Sequence, residues 1–245
     1  MGKAAVLFSG GLDSYLSWKL FAPSADLLFV NIGQPYRSKE LLAALNIAHA
    51  EGAELQAIQG APVGESPMPS GIILHRNAHL ILSAASAGYS DIMLGVLEGE
   101  INSDKSQAFF DSVQAVLNIS HRGQYWNDNQ GVSYHVHSPI RHLTKSELVD
   151  RYIRAGHDPD ILLQTVSCYG EEDGHCGECP SCFKRWVAFA NNGLREDFKR
   201  SPITWATREG IIHKAEDGTY PQRRALEIRS ALGKPYVRSP SWVEG

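Results

Sequence analysis

The chain contains no run of eighteen apolar residues, so no segment is expected to cross a membrane as a helix. It shows no secretory signal: "MGKAAVLFSGG" passes at once into a short apolar run that glycines end. Val6 stands where a myristoylation signal needs Ser or Thr. Together these absences imply a cytoplasmic protein. Internal repeats and low-complexity tracts are also missing, which excludes solenoids and disordered linkers. Cysteine is scarce. There are four, all within residues 168–182, in "TVSCYGEEDG" and "HCGECPSCFKR".

In a reducing compartment such a cluster points to a metal site rather than to two disulfides. The spacing C-x7-C-x2-C-x2-C lets the thiolates of Cys168, Cys176, Cys179 and Cys182 converge on one tetrahedral ion, and a closed four-thiolate shell suits structural zinc. A redox pair or an iron–sulfur cluster is the competing reading; zinc is favoured because no proline follows a fourth local cysteine and no redox partner is visible. His175 abuts Cys176, but four cysteines already fill the shell.

Charge is also short of any strong bias. The net of −4 divides into a body, residues 1–193, with 13 Lys/Arg against 20 Asp/Glu, and a tail, 194–245, with ten against seven. An acidic body opposes a nucleic-acid-binding surface, and no direct nucleic-acid binding is expected.

What is present is alternation. "AAVLF" (4–8), "LLFVNI" (27–32), "ELQAI" (54–58) and "DIMLGV" (91–96) read as buried strands of a parallel sheet. "DSYLSWKLF", "SKELLAALNIAHAEG" and "RNAHLILSAASAGY" between them read as helices, the second stopped by Gly52. The order predicts an α/β fold with right-handed crossovers. "VSYHVHSPI" (132–140) predicts a fifth strand, and Thr144 with Glu147 makes a capping box for the helix after it. His135 and His137 share one strand face, but no third ligand stands at a usable spacing, so both read as polar surface or pocket-edge residues. "PSCFKRWVAFANNG" and "QRRALEIRSALG" predict further helices, the first ending at Gly193, with a strand-poor "PITW" between them.

The first strand runs into Phe8, Ser9, Gly10, Gly11, Leu12, Asp13 and Ser14 before the first helix. The carboxyl end of a strand in a parallel sheet is where ligands bind. Two glycines let backbone approach a phosphate, two hydroxyls can bond it, and the helix N-terminus supplies N–H groups and a positive dipole end. The Lys of a Walker A loop and the third glycine of a dinucleotide fingerprint are absent. A plain tight turn is the alternative.

SGGLDS resembles the pyrophosphate loop of the N-type ATP pyrophosphatases of the PP-loop superfamily. Paired with a downstream four-cysteine loop, it resembles the 7-cyano-7-deazaguanine synthase family within them. The matches continue in the family's order: Gly33–Gln34 after the second strand, Arg76–Asn77 at the third helix, "GV" at 95–96, "SPIRHLTKSELV", and Thr165, Ser167, Tyr169, Ser181 and Arg185 around the cysteines. The resemblance covers residues 4 to about 190. Departures fall on the substrate side: Asn31 replaces a usual Asp, "INSDKSQAFF" replaces "YPDC" with only Asp104 to serve for its Asp, and Pro180 stands where Asp is usual. The tail beyond Gly193 has no counterpart.

The resemblance implies an adenine-nucleotide α-hydrolase-like (Rossmann-like) α/β domain at 1–158, a zinc-binding loop and helix at 159–193, and a C-terminal extension at 194–245. It implies ATP-dependent conversion of 7-carboxy-7-deazaguanine and ammonia to the nitrile, with Mg²⁺ accompanying ATP and Asp13 or Asp104 as the candidate metal carboxylates. Ser9, Asp13 and Ser14 would be catalytic, within an ATP-binding run from Phe8 to Ser14. Gln34, Arg76, Asn77, Asp104 and Arg185 would meet substrate, and a homodimer is expected. Arg185 in a surface salt bridge is the alternative for that residue. For the whole chain the alternatives are arrest at the amide, a different substrate, an enzyme acting on tRNA directly, or a zinc-containing nucleic-acid-binding module with a degenerate loop.

Overall fold

The computed structural model describes residues 2–68, 72–99, 103–122, 132–168, 170 and 174–234. Tyr169 lies outside these. The chain divides into two compact units, Met1–His142 and Leu143–Gly245.

In the first unit, β1 (Lys3–Leu7), β2 (Asp26–Asn31), β3 (Leu55–Gln59), β4 (Tyr89–Met93) and β5 (His135–His137) form a parallel sheet in the order β3-β2-β1-β4-β5. The apolar runs become strands because both faces are covered: Ala5, Val6, Leu28 and Ile92 are fully buried. Helices α1 (Leu12–Phe21), α2 (Arg37–Ala50), α3 (Arg76–Ser86) and α4 (Gln107–His121) supply the layers. Gly52 stops α2 as expected, with φ +63 and the Ala53 N–H turned back to the Ala48 carbonyl at 2.9 Å. The core gathers Leu28 and Val30 from β2, Ile32 just after it, Ile81 from α3, Ile92 from β4, Phe110 from α4 and Val136 from β5.

Two features differ from expectation. Helix α4 was not expected; Ser106 caps it, its hydroxyl accepting from the Phe109 N–H at 3.1 Å. A third ligand-type side chain does join His135 and His137. The pairing of Asp91 with His135 and Met93 with His137 sets Asp91 beside both rings.

The second unit is helical: α5 (Lys145–Arg154), α6 (Asp160–Gln164), α7 (Pro180–Asn191), α8 (Pro202–Arg208), α9 (Ile211–Glu216) and α10 (Gln222–Leu232). The capping box forms, with the Glu147 N–H on Thr144 Oγ1 at 3.2 Å and the Thr144 N–H on Glu147 Oε2 at 2.9 Å. Phe183, Trp186 and Val187 of α7 pack with Trp205 and Ala206 of α8, Ala215 of α9 and Ala225 and Ile228 of α10. The tail is therefore part of one core with the cysteine helix. The division falls before α5, earlier than residue 158, because α5 packs on α7.

Candidate functional site

Strand order places the glycine loop. From β1 the chain runs to β2 and β3 on one side, then crosses back to β4 and β5 on the other. The crevice at the carboxyl ends of β1 and β4 is thus a topological switch point, where open α/β sheets bind ligands.

Phe8 anchors the loop: it is buried, and its N–H meets the Leu28 carbonyl at 2.8 Å. Gly10 then turns with φ +69, and a Cβ there would lie 2.5 Å from the Ala44 nitrogen and 2.8 Å from the Ala43 carbonyl carbon. No side chain other than hydrogen fits. Gly11 is the N-cap of α1 and offers no side-chain cap, so the helix opens on bare backbone. Ser14 donates its hydroxyl to the Gly11 carbonyl at 3.0 Å and lies 3.5 Å from Ser9 Oγ, which accepts from the Gly11 N–H at 3.4 Å. Leu12 is buried, and Asp13 stands in the first turn of α1. From the other side of the switch point, Gly95 approaches so closely that a Cβ would sit 3.1 Å from the Asp13 carbonyl carbon. The geometry is that of a small anion cradle: helix-start N–H groups, two hydroxyls and no bulk.

A second group lies in the same unit, around the start of α3. Asn77 is buried, donating its N–H to Asp104 Oδ2 at 3.3 Å and its side-chain amide to the Asp104 carbonyl at 3.1 Å. Arg76 donates to the Tyr36 hydroxyl at 3.3 Å. Gln34, also buried, accepts from the Ile32 N–H and donates to Glu40 Oε2, both at 3.0 Å. Asn31, where the resembled family has Asp, accepts from the Gly33 N–H at 3.0 Å and closes the turn before Gln34. Burial pushes the Glu40 carboxyl from its ordinary 4.5 up to about 7, against the Gln34 hydrogen bond and the Arg76 charge.

Sequence reasoning missed Glu40, Tyr36 and Arg141 in this setting. The acid in the first turn of α2 was a visible signal for Glu40. Arg141 Nη1 donates to the Lys105 carbonyl at 2.9 Å, and its guanidinium lies 4.6 Å over the Phe110 ring. Burial lowers its pKa, the Asp111 charge opposing.

The four cysteines converge in the second unit. Their sulfurs all lie within 4.8 Å of one another, and those of Cys176 and Cys182 are 3.8 Å apart. Around a zinc ion with Zn–S of about 2.3 Å, a tetrahedron has edges of roughly 3.8 Å. Backbone N–H groups of Gly170, Glu178 and Cys182 point at Cys168, Cys176 and Cys179 sulfurs at 3.3, 3.3 and 3.4 Å, as suits thiolates. Cys168 is held below the ordinary thiol range by hydrogen bonds from Cys179 and then Cys182. Gly177 has φ +79, and a Cβ would collide with the Arg200 carbonyl oxygen at 1.7 Å. The donor set fits a soft or borderline ion, and the cluster can hold one.

His175 is kept out of that set. Its Nε2 accepts from the Ser167 N–H at 3.0 Å, and its Nδ1 faces Glu196 Oε1 at 3.1 Å. Arg185 requires a correction. It is 0% exposed, donating from Nε to Glu196 Oε2 at 2.5 Å, from Nη1 to Thr165 Oγ1 at 2.6 Å and from Nη2 to the Leu162 carbonyl at 2.8 Å. The guanidinium is enclosed rather than in a surface salt bridge; it joins the cysteine helix to α6 and Glu196. Burial pushes the Glu196 carboxyl up, but the His175 hydrogen bond and the Arg185 charge and hydrogen bond outweigh it and hold it below its ordinary value.

A glycine-lined anion cradle at the switch point of a parallel α/β sheet suits a phosphate group, and the four-cysteine cluster of the helical unit could hold a metal ion. Residues 53–193 match the family model described as "Queuosine biosynthesis protein QueC". The chain is 30% identical over 225 residues to a 7-cyano-7-deazaguanine synthase of Stenotrophomonas maltophilia (strain K279a), covering 79% of this chain and 97% of that one. A synthase of the same name from Sulfurovum sp. (strain NBC37-1) is 29% identical over 227 residues, covering 80% and 97%. A solved chain described as a predicted subunit of tRNA methyltransferase from Methanocaldococcus jannaschii overlays with TM-score 0.40 and 16% identity, covering 66% of this chain and 92% of that one. The chain belongs to the QueC family.

Proposed function

We propose that this protein converts 7-carboxy-7-deazaguanine and ammonia to 7-cyano-7-deazaguanine at the expense of ATP; the printed names of its relatives state the synthesis of that product. Family membership carries the reading, and the glycine cradle supports its ATP half.

A carboxylate oxygen is a poor leaving group, so nitrogen can enter only after activation. The substrate carboxylate attacks the α-phosphorus of ATP and pyrophosphate leaves. Ammonia adds to the acyl carbon, a proton is lost and AMP departs, giving the amide. The amide oxygen then attacks the α-phosphorus of a second ATP, and loss of pyrophosphate, two protons and AMP leaves the nitrile. No protein nucleophile is needed; positioning and charge stabilisation are.

In this proposal the run from Phe8 to Ser14 cradles the departing pyrophosphate, with Ser9 and Ser14 donating hydroxyls. Asp13 or Asp104 would hold a Mg²⁺ ion accompanying ATP, which would supply neutralisation of phosphate charge. Gln34, Arg76, Asn77 and Asp104 are assigned to the deazaguanine side. The four cysteines are assigned to structural zinc, since four thiolates leave no open position. A homodimer in the cytoplasm belongs to the same reading.

Two single substitutions test the ATP half. Asp13→Ala and Ser14→Ala should abolish AMP release while leaving the circular dichroism spectrum unchanged. Release of ADP and phosphate from the unaltered enzyme would contradict adenylation outright.

A further inference from the structure

The geometry points to a second metal site, made by Asp91, His135 and His137, that binds a divalent ion of the zinc class at the edge of the sheet. It uses none of the residues assigned above to ATP, deazaguanine or the cysteine cluster, and it does not depend on the proposed reaction.

The sheet itself builds the triad. Alternation along β5 puts His135 and His137 on the same face, two residues apart. Parallel pairing sets Asp91 of β4 opposite His135 in register. Asp91 Oδ1 lies 3.2 Å from His135 Nδ1 and 2.9 Å from His137 Nε2, and the two imidazoles stack with centroids 4.1 Å apart at 18°. The three candidate ligand atoms all fall within 4.8 Å of one another.

Around an ion held at about 2.0–2.2 Å by each atom, neighbouring ligand atoms sit roughly 3.0–3.5 Å apart. The two oxygen–nitrogen separations already have about that length. The nitrogen–nitrogen separation lies within 4.8 Å, a range that ring rotation can bring to the same length. Two imidazoles and one carboxylate select Zn²⁺, Ni²⁺, Co²⁺ or Fe²⁺ over Mg²⁺ and Ca²⁺, which prefer all-oxygen shells. The side chains of His135, Asp91 and His137 are 61%, 38% and 28% exposed, so an ion can enter from solvent and keep positions for water.

A physical consequence follows from where the triad stands. β5 is an edge strand held by three paired residues. An ion bridging Asp91 to both histidines would clip that short strand to β4, adding a cross-link that the backbone ladder alone does not provide.

The test uses the full-length, untagged protein with its cysteine cluster preloaded with zinc. Ni²⁺ is titrated in by calorimetry, with zinc content followed by elemental analysis. The expected result is an additional saturable equivalent per chain, accompanied by a rise in melting temperature. Asp91→Asn and His137→Gln should weaken it by at least about tenfold, the lower limit seen when even an outer partner of a metal ligand is removed. Both variants should keep their zinc and their circular dichroism spectrum. Should they fail to fold, proton NMR of the wild-type histidines replaces them: the His135 and His137 ring signals should broaden first on adding Ni²⁺. An absent second equivalent, equal affinity in the variants, or broadening elsewhere with these two rings unmoved would overturn the assignment and mark the binding as adventitious.

Discussion

Gly10→Ala is the substitution whose cost the structure defines best. Gly10 adopts φ +69, where an L side chain loses roughly 1–2 kcal/mol against the following carbonyl. The added Cβ would also lie 2.5 Å from the Ala44 nitrogen and 2.8 Å from the Ala43 carbonyl carbon, both backbone atoms of α2 that no rotamer change can move. Overpacking of that kind adds about 1–3 kcal/mol. The control is Gly52→Ala, with φ +63 and nothing within 4 Å of its Cβ, which carries the conformational cost alone. Urea unfolding of the three proteins should therefore show a small shift for Gly52→Ala and a shift about twice as large for Gly10→Ala. AMP formation should survive in the first and collapse in the second, because relief of the clash must push the loop away from α2 and spoil the cradle. Equal unfolding midpoints in the two variants, with full AMP formation in Gly10→Ala, would refute the argument that the loop is packed too tightly for a methyl group.

Glu40 binds a proton in the folded state up to about pH 7, whereas its ordinary value is 4.5. Its contribution to stability is fully present below the lower value and is lost as pH rises through the upper one; Glu40→Gln should flatten the dependence of melting temperature on pH across that window. Glu196→Gln removes the anion that faces fully buried Arg185 and should destabilise by about 3–5 kcal/mol in thermal melts, with the metal content of the purified protein unchanged. Thr144→Ala opens the capping box of α5 and should cost only about 1 kcal/mol by urea titration, without change in AMP formation.

The strands were legible because buried parallel strands are continuous apolar runs, and their observed limits differ from expectation mainly at the ends. "LGV" after β4 continues the apolar run, but only the Leu94 N–H still reaches β5, at the His137 carbonyl 3.0 Å away, and Gly95 then lies bare against Asp13. Fifth-strand pairing is confined to His135–His137, far shorter than 132–140. Helix α4 carries a local signal in Ser106, whose hydroxyl caps it. "PITW" was expected to be strand-poor and is the start of α8, capped by Ser201 with Pro202 at its first position.

At the site, the glycine loop and the cysteine spacing were local signals, so the sequence carried them. What it could not carry was tertiary. The burial of Glu40, the enclosure of Arg185 by Glu196, Thr165 and Leu162, and the register that brings Asp91 to His135 all arise from segments far apart in the chain. Four cysteines leave His175 no place in the shell, and Ser167 and Glu196 occupy its two ring nitrogens.

The central claim is chemical, and product mass tests it most directly. The purified protein, incubated with 7-carboxy-7-deazaguanine, ammonium, Mg²⁺ and excess ATP, should yield the nitrile with AMP in a two-to-one ratio to product. Accumulation of the amide with an equal amount of AMP, unchanged on long incubation, or no turnover of this substrate at all, would contradict it.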